Sequence, residues 1–160
     1  MEKASRPMAL VDHCIKDAIL CPLEIADKED GFRQLVDALA AAKAVPKTRR
    51  AKILAEIVDR ERQATTGIGN GVGVPHARSV HVKKTVLGIG QVPDGIEFGA
   101  VDGERVRVIM LLVSPASNRS EHLAAMKEIV RIVRDPYQCK RLHGCDTAES
   151  FIDLLTEMAQ

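Results

Sequence analysis

Apolar residues recur at helical spacing from Asp27 onward, where Leu35, Val36, Leu39 and Ala42 follow the acidic start Asp27-Lys28-Glu29-Asp30. Asp27 has the side chain of a helix N-cap, and Val45-Pro46 closes the segment. A second helix is predicted over about Lys47 to Gln63, with Ile53, Leu54, Ile57 and Val58 on one face and Arg49, Arg50, Lys52, Glu56 and Arg60 around the rest. The period then changes. Thr85 to Val92 is β-branched and apolar, Pro93-Asp94-Gly95 reads as a turn, Ile96-Glu97-Phe98 as a short extended piece and Asp102-Gly103 as a further turn. Val106 to Val113 is apolar on both alternations after Arg107, the pattern of a strand covered on both faces and therefore central. Ser114-Pro115 stops it. Ser117-Asn118 with Glu121 supplies cap chemistry for a helix running to about Arg134, and Asp135-Pro136 ends that helix. A short helix from Pro136 to Leu142 and a last one from Thr147 to Met158 follow, parted by Gly144.

Helices first, strands in the middle and helices last predict an α/β fold in which a mixed β-sheet is sandwiched between helical layers. No repeat, low-complexity tract or linker divides residues 1 to 160, so a single domain is expected. With only 2% aromatic residues, aliphatic packing must supply the core, and modules that stack bases on aromatic rings are disfavoured. The net charge of +1 provides no field toward nucleic acid or an anionic membrane. Cys14, Cys21, Cys139 and Cys145 match neither a zinc ribbon nor a Cys-x-x-Cys redox motif, and read as reduced thiols of a cytoplasmic protein. Lys3 and Arg6 precede an apolar stretch broken by Asp12, His13, Lys16 and Asp17, so no signal-peptide core forms. No segment is long and apolar enough to span a membrane. Any role in transport would need another polypeptide for the membrane part.

The chemistry concentrates in Gly67-Ile68-Gly69-Asn70-Gly71-Val72-Gly73-Val74-Pro75-His76-Ala77-Arg78. Glycines leave backbone amides bare for an anion, Asn70-Gly71 is a hairpin signal, and His76 ends the run with a side chain that is nucleophilic when neutral. A histidine leaving a buried strand at a loop satisfies the same pattern. His122 shares a helix face with Met126, Ile129 and Val133 in the first turn of its helix, where free amides favour an anion. A core-edge histidine bonded to a backbone carbonyl satisfies that pattern too. A metal site from His76, His81 and His122 has no acidic ligand placed by spacing. The glycines match neither a Walker loop nor the dinucleotide fingerprint, and neither Ser79 nor Ser114 sits in a nucleophile elbow. Lys47-Thr48-Arg49-Arg50 reads as a solvated helix face or part of a docking surface.

Arg60-Glu61, Thr66-Gly67-Ile68-Gly69-Asn70-Gly71, Val74-Pro75-His76, Gly95-Ile96-Glu97-Phe98, Asp102-Gly103, Leu111-Leu112-Val113-Ser114-Pro115 and His122-Leu123 occur in this order. Jointly they resemble the enzyme IIA domain of the phosphoenolpyruvate-dependent phosphotransferase system, in its fructose, mannitol and nitrogen-regulatory class. The resemblance covers about residues 8 to 158. It implies a mixed sheet flanked by helices. It also implies that His76 accepts a phosphoryl group through Nε2 from the histidine phosphocarrier protein, then passes it to an enzyme IIB partner or holds it as a regulatory signal. His122 would support the phosphoryl group and Arg60 would stabilise its charge, with the amides of Gly69, Asn70 and Gly71 as further donors. No cofactor or metal is implied. A catalytically silent binding module of the same fold is the rival reading. Ala77-Arg78 stands where the family commonly has glycine and lysine, and Gly73 where alanine is common. Ala77 lowers backbone freedom beside the nucleophile, which bears on partner docking.

Overall fold

The structure is a computed structural model and describes residues 8–159. Strand β1 (Cys14–Leu20) is followed by helices α1 (Lys28–Ala41) and α2 (Arg50–Gln63), then by strands β2 (Gly67–Gly69), β3 (Val72–Gly73), β4 (His76–Ser79), β5 (Val86–Ile96) and β6 (Val106–Pro115). Helices α3 (Arg119–Val133), α4 (Pro136–His143) and α5 (Ala148–Met158) complete the order. The six strands form one mixed sheet in the order β1-β5-β6-β3-β2, with β4 also paired to β6. β6 runs antiparallel to β5 and parallel to β3 and β4.

The apolar pattern of β6 explains the layering. Ile109, Leu111 and Val113 enter one core with Phe32, Leu35 and Leu39 of α1 and Ile53 and Ile57 of α2. Val108, Met110 and Leu112 enter the other with Ile129 and Ile132 of α3, Leu142 of α4 and Phe151 and Leu155 of α5. A strand buried on both faces has no polar alternation to keep, as its sequence predicts. Two predicted caps are present, the Asp27 side chain accepting from the Asp30 amide and Asn118 from that of Glu121, and Thr147 caps the last helix by accepting from the Ser150 amide.

Three expectations change. Strand β1 was not foreseen, because Lys16 and Asp17 are exposed on this edge strand and interrupt the apolar signal. Residues Lys47–Arg49 form a separate 3-10 turn ahead of α2. Pro93-Asp94-Gly95 does not reverse the chain: β5 continues through it to Ile96, with a register shift between Gln91 and Ile96 and Gly95 at φ 73°. The strand bulges there instead of turning.

Asn70-Gly71 turns the β2–β3 hairpin as predicted, with φ of 55° and 76°, the left-handed values a two-residue hairpin loop needs. Strands β3 and β4 lie end to end. Val72 aligns with Val108 and His76 with Leu112, the same offset on both sides of Val74-Pro75, so the register does not slip. Pro75 has no amide to give, yet its carbonyl accepts from the Leu112 amide at 3.0 Å. Two local features are tight. A Cβ on Gly73 would lie 2.6 Å from the Phe98 ring. Lys43, at φ 63°, fills the left-handed position that closes α1, where the Lys43 amide bonds the Ala40 carbonyl and the Ala44 amide bonds that of Leu39.

Candidate active site

His76 opens β4, at the carboxyl-terminal end of β3, and is half-buried. Its partner across the ladder is Leu112, whose side chain belongs to the α3–α5 core, so the imidazole is directed to that side of the sheet. There it meets His122, in the first turn of α3, with ring centroids 5.6 Å apart. Arg60, in the last turn of α2, donates through Nη1 to the Ala64 carbonyl at 2.9 Å, and its charge reaches His76. The structure thus brings together residues 76 and 122, far apart along the chain, and places Arg60 where its charge is felt at His76.

The hydrogen bonds set the protonation states. His76 Nδ1 lies 2.8 Å from the Val74 carbonyl oxygen. A carbonyl only accepts, so Nδ1 carries the ring proton and Nε2 keeps its lone pair. Burial pulls the His76 pKa below the ordinary histidine value, the Val74 bond and Glu61 work against that shift, and Arg60 adds to it. His122 is 7% exposed, and its Nδ1 lies 2.8 Å from the Ser114 hydroxyl. Burial first, then the charges of His76 and Arg78, lower its pKa to about 4. Both rings are therefore neutral near pH 7. A hydroxyl both donates and accepts, so this contact fits either His122 tautomer; the one in which Ser114 donates to Nδ1 leaves the ring proton on Nε2, where it is available to an oxygen anion.

Ser114 was passed over as a nucleophile and missed as a positioning group. Its place at the end of the central strand, one loop before a capped helix, was the available signal, since sites of α/β folds gather at carboxyl ends of strands. His122 bonds this hydroxyl and not the backbone carbonyl of the alternative reading. Arg78 is exposed, two residues beyond His76 on the same strand face, and its charge is felt by His122. Ala77 is 7% exposed and packs in the α1–α2 core, so its methyl group points away from the histidines.

The structure does not bring the hairpin residues next to the His76 ring. Gly69, Asn70 and Gly71 lie at the tip beside Arg107 and Val108, where the Gly71 carbonyl accepts from both of those amides. His76 pairs five positions further along at Leu112, and five residues of strand span roughly 16 Å. The Asn70 amide is already given to the Asp102 carboxylate at 3.1 Å. His81 lies on the loop after β4, and among the described residues no group of three or more His, Cys, Asp or Glu side chains is placed to hold a metal. All four cysteines are free and outside the site. Burial raises the thiol pKa of Cys14 to about 12 and of Cys21 and Cys139 to about 11, and raises that of Cys145.

A pair of neutral histidines beside a guanidinium, one with a free ring nitrogen and the other able to donate, is suited to receiving a group with anionic oxygens. The family model of the phosphoenolpyruvate-dependent sugar phosphotransferase system, EIIA 2, matches residues 12–158. The chain belongs to this family. Among its relatives, the nitrogen regulatory protein of Bradyrhizobium diazoefficiens is 28% identical over 148 residues, covering 92% of this chain and 95% of the relative. The fructose-specific EIIA component of Haloferax volcanii is 27% identical over 148 residues, covering 88% and 95%. The crystal structure of nitrogen regulatory protein IIA-Ntr from Neisseria meningitidis shares the fold, with a TM-score of 0.82, 23% identity and coverage of 91% and 98%. No helix of the described residues is long and apolar enough to cross a membrane.

Proposed function

We propose that this EIIA 2 protein is a phosphoryl carrier with His76 as its acceptor. The observation that carries the reading is the 2.8 Å contact from His76 Nδ1 to the Val74 carbonyl, which leaves Nε2 unprotonated and open. In the reaction the Nε2 lone pair attacks phosphorus, the bond from phosphorus to the donor's histidine nitrogen breaks, and that nitrogen recovers its electron pair. The His76 ring gains positive character as the new bond forms, and the Val74 carbonyl is placed to stabilise it. Arg60 has donors left after its bond to Ala64 and supplies positive charge to the phosphoryl oxygens, while His122 Nε2–H donates to one of them. Little more is needed, since phosphoryl transfer between two nucleophiles depends chiefly on positioning and electrostatic support.

The donor is the histidine phosphocarrier protein of the system to which the family belongs. The onward step is transfer to an enzyme IIB partner or use of the phosphorylated state as a signal. The similarities to a nitrogen regulatory protein and to a fructose-specific component are nearly equal, 28% and 27%, so they do not choose between these fates. Against the silent module stands the site itself: a protein that had ceased to carry phosphate has no need of a neutral, oriented imidazole beside a guanidinium.

Incubation with phosphoenolpyruvate, enzyme I and the phosphocarrier protein should yield one acid-labile phosphate per chain, absent from His76→Ala. Labelling that persists in that variant would remove His76 from the role. An unlabelled wild type, with competent partners from the same source, would favour the silent module. Chase of the labelled protein with purified enzyme IIB then separates transport from signalling.

A further inference from the structure

The carbonyl that orients His76 is free for that task only because of a substitution in the hydrogen-bond ladder. The β2–β3 pairing extends one step beyond Gly67 and Gly73, where the Val74 amide donates to the Thr66 carbonyl at 2.9 Å. Residues opposed in this way in an antiparallel pair normally exchange both bonds, so the Thr66 amide would return to the Val74 carbonyl. It does not. The Thr66 amide donates instead to Glu61 Oε2 at 3.0 Å, and the Val74 carbonyl receives His76 Nδ1.

Glu61 is held for this purpose from three sides. It projects from the last turn of α2, next to Arg60, and is 6% exposed. Its Oε1 accepts from the Thr66 hydroxyl at 2.5 Å, and its Oε2 also accepts from Lys28 Nζ at 2.9 Å. Lys28 in turn donates to the Phe98 carbonyl at 2.8 Å and lies 4.7 Å from the Phe98 ring centroid. The carboxylate is therefore fixed in position, with one oxygen aimed at a backbone amide that the sheet would otherwise use.

We propose that Glu61 sets the tautomer of His76: by taking the Thr66 amide it reserves the Val74 carbonyl for Nδ1–H, and so keeps the lone pair on Nε2. Glu61 touches neither the ring nor the group it receives, and is a positioning residue. The significance for phosphoryl transfer rests on the reading of His76 given above, whereas the tautomer is a property of the resting protein. Glu61 also acts on His76 through its charge, which favours the protonated ring. Substitution by glutamine removes that charge but keeps an acceptor for the Thr66 amide, so the two effects separate.

The test is the ring-nitrogen NMR spectrum of unphosphorylated protein, above neutral pH, for wild type, Glu61→Gln and Glu61→Ala. His76 should carry its proton on Nδ1 in the wild type and in Glu61→Gln. In Glu61→Ala the released amide competes for the carbonyl, the population moves toward Nε2–H, and the rate of phosphoryl uptake falls in proportion to the Nδ1–H fraction lost. If the alanine variant does not fold, Glu61→Met fills the same space without a strong acceptor and makes the same measurement. A wild type found as Nε2–H overturns the proposal, as does an alanine or methionine variant that stays fully Nδ1–H. A purely structural role would lower the melting temperature of these variants and leave the tautomer untouched. A wild type in the Nδ1–H form that takes up no phosphate overturns the phosphoacceptor reading and leaves the role of Glu61 standing.

Discussion

Replacing His122 by asparagine should flatten the acid side of the stability curve. In the folded protein His122 has a pKa of about 4, against the ordinary value of 6.5 that the unfolded chain restores. Between those values the unfolded chain binds a proton that the folded chain excludes, so unfolding takes up a proton and stability falls as the pH falls. The contribution is complete above pH 6.5, declines with a slope approaching about 1.4 kcal/mol per pH unit, and is down by about 2 kcal/mol at pH 5. Below the folded pKa nothing further is lost. His76 is shifted in the same direction but is present in both proteins, as are the carboxylates, so their effects cancel in the comparison. Asparagine puts an amide atom near the position of Nδ1, retains a partner for Ser114 and carries no titratable group. Urea denaturation at about pH 7.5 and about pH 5 should show a drop in the wild type exceeding that of the variant by about 2 kcal/mol. Equal drops would refute the assignment of a buried, neutral imidazole at this position.

Two further substitutions test the packing. Gly73→Ala, whose methyl group would sit 2.6 Å from the Phe98 ring, should lose about 1–3 kcal/mol in thermal denaturation, and Phe98→Leu in the same chain should recover part of it. Strictly additive losses would show that the two residues do not compete for one space. Lys43→Gly should stabilise the fold by about 0.5–1 kcal/mol and so raise the urea midpoint, because glycine adopts the φ of 63° without the penalty borne by lysine. A lower midpoint would show that the lysine side chain contributes more than the backbone loses.

Where the sequence was legible, local chemistry and global placement agreed. The two-sided apolar run of β6, the caps Asp27 and Asn118 and the Asn70-Gly71 turn each have a local cause that tertiary packing did not override. Strand β1 failed that criterion, since an edge strand carries exposed Lys16 and Asp17 and shows little alternation. Proline and glycine in Pro93-Asp94-Gly95 signal an irregularity without telling a bulge from a reversal. Proximity in sequence is a poor guide at the site: the glycine tip is five residues from His76 along the chain, and the extended strand between them carries it roughly 16 Å away. Ser114 and Glu61 act through bonds to residues eight and five positions away, which become visible only when helix and strand are placed side by side.

Near neutral pH the four thiols stay protonated, with values of about 12 and 11 for Cys14, Cys21 and Cys139 and an upward shift for Cys145. Thiolate is the form that attacks phosphorus, metals and peroxide, so this chain offers none of them a sulfur nucleophile. On the proposed reading, a phosphoryl group held on the His76 imidazole would meet no thiolate within the chain and would leave by hydrolysis or to a visitor. A partner bringing its own activated thiolate finds the only such group in the encounter, and traffic runs outward. Under oxidative stress the same quietness would set the proposed carrier apart from any partner that uses a thiolate, whose sulfur would be oxidised first.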